Sequence, residues 1–92
     1  MDEERIGTIE HYYPRVHAAT VRLEGGDLRM GDLVHIVAPG VDIIERVTSL
    51  ELDHRPIRSG HEGEVVGLLV SMPVGNRGTV FRIGDERHLL GD

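Results

Sequence analysis

Cysteine and lysine are both absent from this 92-residue chain, and its aromatic side chains are limited to one Phe and two Tyr. Without cysteine there is neither a disulfide framework nor a thiolate metal site, and thiol usage says nothing of the redox compartment. Without lysine no G-x-x-x-x-G-K-[S/T] phosphate loop can be written, so GTP is not cradled that way. Long apolar runs are lacking too, since nothing approaches the roughly 20 residues of a membrane span. The start, Met1-Asp2-Glu3-Glu4, is acidic and unlike the basic-then-apolar layout of a signal peptide, so a cytoplasmic protein is expected. Acidic residues outnumber basic ones 16 to 10, for a formal net charge of −6. That balance opposes general binding to a phosphate backbone, which Lys and Arg drive by displacing counterions. All the basic residues are Arg, which suits bidentate recognition and equally suits a codon-biased genome.

Amphipathic helical spacing is also missing beyond a single turn, whereas β-branched residues recur in short runs between Gly, Pro and Asp. The chain therefore reads as one all-β domain. Residues 5–13 form the expected first strand, which Pro14 ends, and residues 16–23 the second. Glu24-Gly25-Gly26-Asp27 and Gly31-Asp32 are turn-makers. Residues 33–38 place Val34, Ile36 and Ala38 on one face. Between residues 42 and 53 the alternation changes phase, which predicts a β-bulge near Thr48-Ser49. Residues 54–62 read as a loop with Ile57 tucked inward. The nearly continuous apolar run 64–71 predicts a strand covered on both sides, and residues 79–83 the last strand. The expected organisation is an acidic extension over 1–4, a closed antiparallel barrel of six or seven strands over 5–83, and a polar tail over 84–92 whose Leu89-Leu90 pair is available for docking.

At Gly26-Asp27-Leu28-Arg29-Met30-Gly31-Asp32-Leu33-Val34-His35-Ile36 the chain resembles the "G-x-L-x-x-G-D-x-x-x-I" corner of the second, β-barrel domain of the translational GTPases, elongation factors Tu and G. Val47-Thr48-Ser49-Leu50-Glu51-Leu52, Gly60 and Gly63-Glu64-Val65-Val66-Gly67-Leu68 follow in the same order. Ile9-Glu10-His11-Tyr12-Tyr13 and Glu51-Leu52-Asp53-His54-Arg55-Pro56-Ile57 are similar to small stand-alone proteins described as translation elongation factor-like, which carry this barrel without the GTPase. The resemblance implies a protein or RNA partner from the translation apparatus. In elongation factor Tu the barrel holds the acceptor end of aminoacyl-tRNA through a Glu, an Arg and an Asn, and a gap-free alignment sets Glu51, His54 and Val65 at those positions.

The candidate contacts are Tyr12, Tyr13, Arg15, Glu51, His54, Arg55 and Arg58. Tyr12 and Tyr13 lie beside His11, Arg15 and His17 in the chain's only aromatic and basic cluster, the chemistry of stacking on bases or on a flat protein surface. The alternative is a strand end whose tyrosines half-cover the core. His54, Arg55, Arg58 and His61 make a second basic patch, or a solvated loop. Asp53, His54 and His61 match no zinc spacing, and Ser49 and Ser71 have no recognisable His-Asp partners, so no catalytic residue, metal or cofactor is expected. The sequence thus reads as a non-catalytic binding module for RNA or a translation protein, or else as a protein-interaction or self-associating adaptor. A barrel without its usual neighbour domains exposes apolar surface, for which a homodimer is one remedy.

Overall fold

The structure, a computed structural model, describes residues 2–84. None of them is helical. The strands are β1 (Glu3–Tyr13), β2 (Ala18–Leu23), β3 (Leu28–Arg29), β4 (Leu33–Ala38), β5 (Val41–Arg46), β6 (Leu50–Leu52), β7 (Arg55–Pro56), β8 (Ser59–Gly60), β9 (Val65–Leu69) and β10 (Thr79–Ile83). Eight of them form one antiparallel sheet in the order β5-β4-β10-β1-β2-β9-β6-β7, and β3 with β8 makes a separate two-stranded ribbon. The closed barrel expected above is not what the hydrogen bonds draw, because the sheet ends at β5 and β7 with no ladder joining them. The interruption lies at residues 47–49, between a half that pairs with β4 and a half that pairs with β9. There the Val47 N–H donates to the Asp32 carbonyl and the Val47 carbonyl accepts from Gly31, so the ladder gives way to a corner instead of the expected bulge.

The bulges sit in β1. Its register slips against β10 between Arg5 and Gly7, and against β2 between Ile9 and His11. Each slip rotates the strand by one residue, so Ile6, Ile9 and Tyr12 all reach the core at a three-residue spacing that a regular strand forbids. Past Thr8 the β10 edge of β1 has no partner strand among the described residues. The Gly78 carbonyl accepts from Ile9 N–H at 2.8 Å and the Asn76 side-chain oxygen accepts from Tyr12 N–H at 2.8 Å. Of the acidic stretch, Glu3 and Glu4 belong to β1 and pair opposite Ile83 and Arg82.

One apolar cluster fills the interior, with Ile6, Val21, Leu23, Leu28, Val34, Ile36, Val66 and Val80 fully buried. No charged side chain is buried among the described residues. The tail with Leu89-Leu90 lies outside the described residues.

On the outer face His35 of β4 binds two carboxylates, Nδ1 to Glu3 at 2.8 Å and Nε2 to Asp42 at 2.5 Å, which ties β4 to β1 and β5. The bonds to Glu3 and then Asp42 hold the His35 pKa above its ordinary value of 6.5. Because the folded-state pKa is raised, the stabilisation is complete below the unfolded value and is lost as pH rises through the folded one. Urea midpoints measured from pH 6 to 9 (about the span around a raised histidine) are therefore expected to fall with rising pH in the wild type, and His35→Gln is expected to flatten that fall.

Candidate functional site

Outward-facing positions of β2, β9 and β6 make a shallow floor. Along the sheet Thr20 stands opposite Gly67, and Gly67 opposite Glu51, while Ala18 stands opposite Leu69. The floor opens into a groove of about 780 Å³. Tyr13, at the end of β1, and Val16, from the β1–β2 turn, line one wall, and Asp53 and His54, from the β6–β7 turn, line another. Tyr13, Val16 and Leu69 are 46%, 60% and 49% exposed, large apolar side chains left in water around one depression. His11 packs edge-on against the Tyr13 ring, centroids 4.4 Å apart, and helps to set its position.

The run 64–71 is thus covered on one face only. Val66 and Leu68 enter the core, whereas Val65, Gly67 and Leu69 form groove floor. Gly67 differs from the other glycines of the sheet. At Gly7 an added Cβ would stand 2.2 Å from the Arg22 carbonyl oxygen, so the fold needs a glycine there, and at Gly78 it would stand 2.7 Å from Ile9 Cδ1, a side-chain end that would have to move. At Gly67 a Cβ would meet nothing within 4 Å, and its φ is not left-handed. The fold does not require that glycine, yet its missing side chain is what keeps the floor low.

The rim is acidic. Glu51 and Asp53 supply two carboxylates and His54 an imidazole, with no arginine among the lining residues. Asp53 and His54 are the two central residues of a two-residue hairpin, Leu52 opposite Arg55, with φ of 52° and 65°. A positive φ at both central positions is the type I′ conformation, which Asn-Gly adopts with least strain. Here side chains occupy both.

The residues singled out from sequence are divided by the structure. Tyr13, Glu51 and His54 come together at the groove, joined by Val65. Tyr12 is only 8% exposed and belongs to the core, so it is corrected from a contact to a structural residue. Its position follows from the β1 bulge, which turns Tyr12 inward and Tyr13 outward. Arg15 is exposed in the β1–β2 turn and does not line the groove. Arg55 lies on β7, also outside it. Arg58 lines a second hollow, so the basic patch is dispersed. His61 stands apart, 3.4 Å from Asp27. Among the described residues no cluster of three His, Asp or Glu has metal-binding geometry. The sequence reading missed Val16, Gly67 and Leu69; the available signal was a glycine within a strand, flanked at two-residue spacing by Val65 and Leu69.

No family model matches this chain, and no curated protein matches it by sequence. Solved structures share its fold. The C-terminal domain of a Geobacillus thermoleovorans protein described as a putative U32 peptidase superposes with a TM-score of 0.80 at 19% identity, over 88% of this chain and 93% of that one. Its selenomethionine variant gives 0.78 at 20% identity, over 84% and 96%. These neighbours overturn the expected membership among elongation factor-like proteins. The residues behind that expectation are consumed by the corner itself. Gly31 takes φ +88°, Asp32 accepts a hydrogen bond from Arg29 N–H at 2.9 Å, and Leu28, Val34 and Ile36 are core. Such residues specify a chain reversal between buried strands, not a lineage. No described helix is long and apolar enough to cross a membrane.

Proposed function

We propose that this chain is a non-catalytic protein-docking module, a curled barrel-like sheet whose groove receives a polypeptide segment bearing apolar side chains and a basic one. Gly67 carries the reading, because a glycine that backbone geometry does not demand leaves room along a row of exposed apolar side chains. The barrel-like form is supported by one core shared across the sheet and by the Glu45 carboxylate, which reaches from β5 to accept the Ser71 N–H at 3.0 Å.

Charge favours the partner's chemistry. Glu51 and Asp53 attract Lys or Arg on an incoming segment and repel phosphate, so the groove suits a polypeptide better than RNA. The same rim disfavours a second copy of this chain, whose net charge is −6. The likeness to C-terminal domains of a protein described as a peptidase supports an accessory role beside a catalytic unit. The β1–β2 and β6–β7 turns act as walls, and Tyr13 and Leu69 as apolar anchors.

Two substitutions separate docking from folding. Gly67→Val is expected to keep the thermal midpoint or raise it, since a β-branched residue replaces glycine in a strand with free space above it. The same change fills the groove, so a basic, apolar peptide that binds the wild type is expected to lose at least about tenfold in affinity by fluorescence anisotropy. Leu69→Asp, at an exposed site, is expected to do likewise with an unchanged fold. Full retention of binding by both variants would refute the groove as the docking site.

A further inference from the structure

The second hollow, about 600 Å³, is lined by Arg29, Met30, Pro56, Ile57, Arg58 and Ser59. Arg29 and Arg58 come from the two sides of the β3–β8 ribbon, where Arg29 stands opposite Ser59 and Met30 N–H donates to the Arg58 carbonyl at 2.9 Å. In this acidic chain Arg5, Arg22 and Arg82 each find a carboxylate, Glu24, Glu10 and Glu4. Arg29 and Arg58, like Arg15, Arg46, Arg55 and Arg77, form no salt bridge with the described residues, but these two line one hollow. The carboxylate near Arg29, Asp32, is engaged by the Arg29 backbone N–H instead. Two like charges are therefore kept at one hollow without a counterion among the described residues, next to Met30, which is 43% exposed, and half-buried Ile57.

We propose that this hollow recognises the free C-terminal carboxylate of a polypeptide whose last side chain is apolar. Arginine guanidinium forks match a planar carboxylate in bidentate fashion, and Ser59 adds a neutral donor. Inorganic phosphate would satisfy the arginines and leave Met30, Pro56 and Ile57 bare, whereas an apolar terminal residue covers them while its carboxylate meets the charge. The site is separate from the groove and does not depend on it.

The test is a 15N-1H NMR titration of the full chain with N-acetyl-Val-Leu carrying a free carboxylate, with its C-terminal amide and with inorganic phosphate. The free acid is expected to shift the amides of Met30 and Ser59 saturably in the millimolar range, with the amide form at least about tenfold weaker, the loss of a charge-assisted hydrogen bond. Arg29→Gln and Arg58→Gln, both at exposed positions, are expected to keep the folded spectrum and each to weaken the acid about tenfold. Gly67→Val is expected to leave this binding intact, which keeps it distinct from the groove. Equal binding of the amide, phosphate binding as tight as the dipeptide, indifference to both arginine changes or no shift at all would each overturn the assignment.

Discussion

Tyr12→Ala is expected to cost about 3–5 kcal/mol of folding stability, as removing a large core aromatic does, whereas Tyr12→Phe is expected to cost nothing or to gain about 1 kcal/mol. The contrast arises from where the ring and the hydroxyl sit. The ring is 8% exposed within the single core, and the hydroxyl is buried without a hydrogen-bond partner among the described residues. An unpaired buried hydroxyl is a desolvation cost that phenylalanine does not incur. Since small domains hold only about 5–15 kcal/mol in total, Tyr12→Ala removes a large share of it. Urea denaturation followed by far-ultraviolet circular dichroism measures all three proteins. A marked loss in Tyr12→Phe would mean that the hydroxyl has a partner in solution.

Gly7→Ala is the second large effect, a loss of about 3 kcal/mol, at the upper end of what overpacking costs. Gly7 lies in β1 between β2 and β10, opposite Leu23 on one side and Val80 on the other. The new Cβ would stand 2.2 Å from a backbone oxygen, Arg22 O, which cannot swing aside as a side chain would. The strand must shift, and the bulges that bring Ile6 and Ile9 to the core shift with it. Gly67→Ala on β9 is the internal control and is expected to gain about 0.5–1 kcal/mol. Both variants can be read from the same denaturation series; equal losses in the two would contradict the distinction between a required and a dispensable glycine.

Much of the strand layout was legible from the sequence, because turn residues bracket the β-branched runs. β4 and β10 run from Leu33 to Ala38 and from Thr79 to Ile83, as the pattern predicts. The short strand β3 was hidden between two turns and β8 in what read as a loop, since two residues carry no periodicity. β1 showed its bulges only as the spacing Ile6, Ile9, Tyr12, which a two-residue alternation treats as noise. That slip decided the fate of the tyrosine pair, with Tyr12 taken into the core and Tyr13 left at the groove.

The candidate site was legible in its polar members and obscure in its apolar ones. Glu51 and His54 stood out by residue type, and both line the groove. Val65 and Leu69 read as doubly covered because an apolar run looks alike whether its outer face is packed or open. The family resemblance failed for a related reason, since Gly31, Asp32 and the buried residues around them answer to the geometry of a corner that unrelated chains also need.

The most direct test of the docking account is selection of binders to the immobilised chain from a random peptide library displayed on phage, repeated with the double variant Glu51→Arg, Asp53→Arg. The account predicts that the wild type enriches peptides with apolar residues and a Lys or Arg, and that the variant turns the selection toward acidic peptides. Enrichment of the same peptides by both proteins, or no enrichment by the wild type, would contradict it.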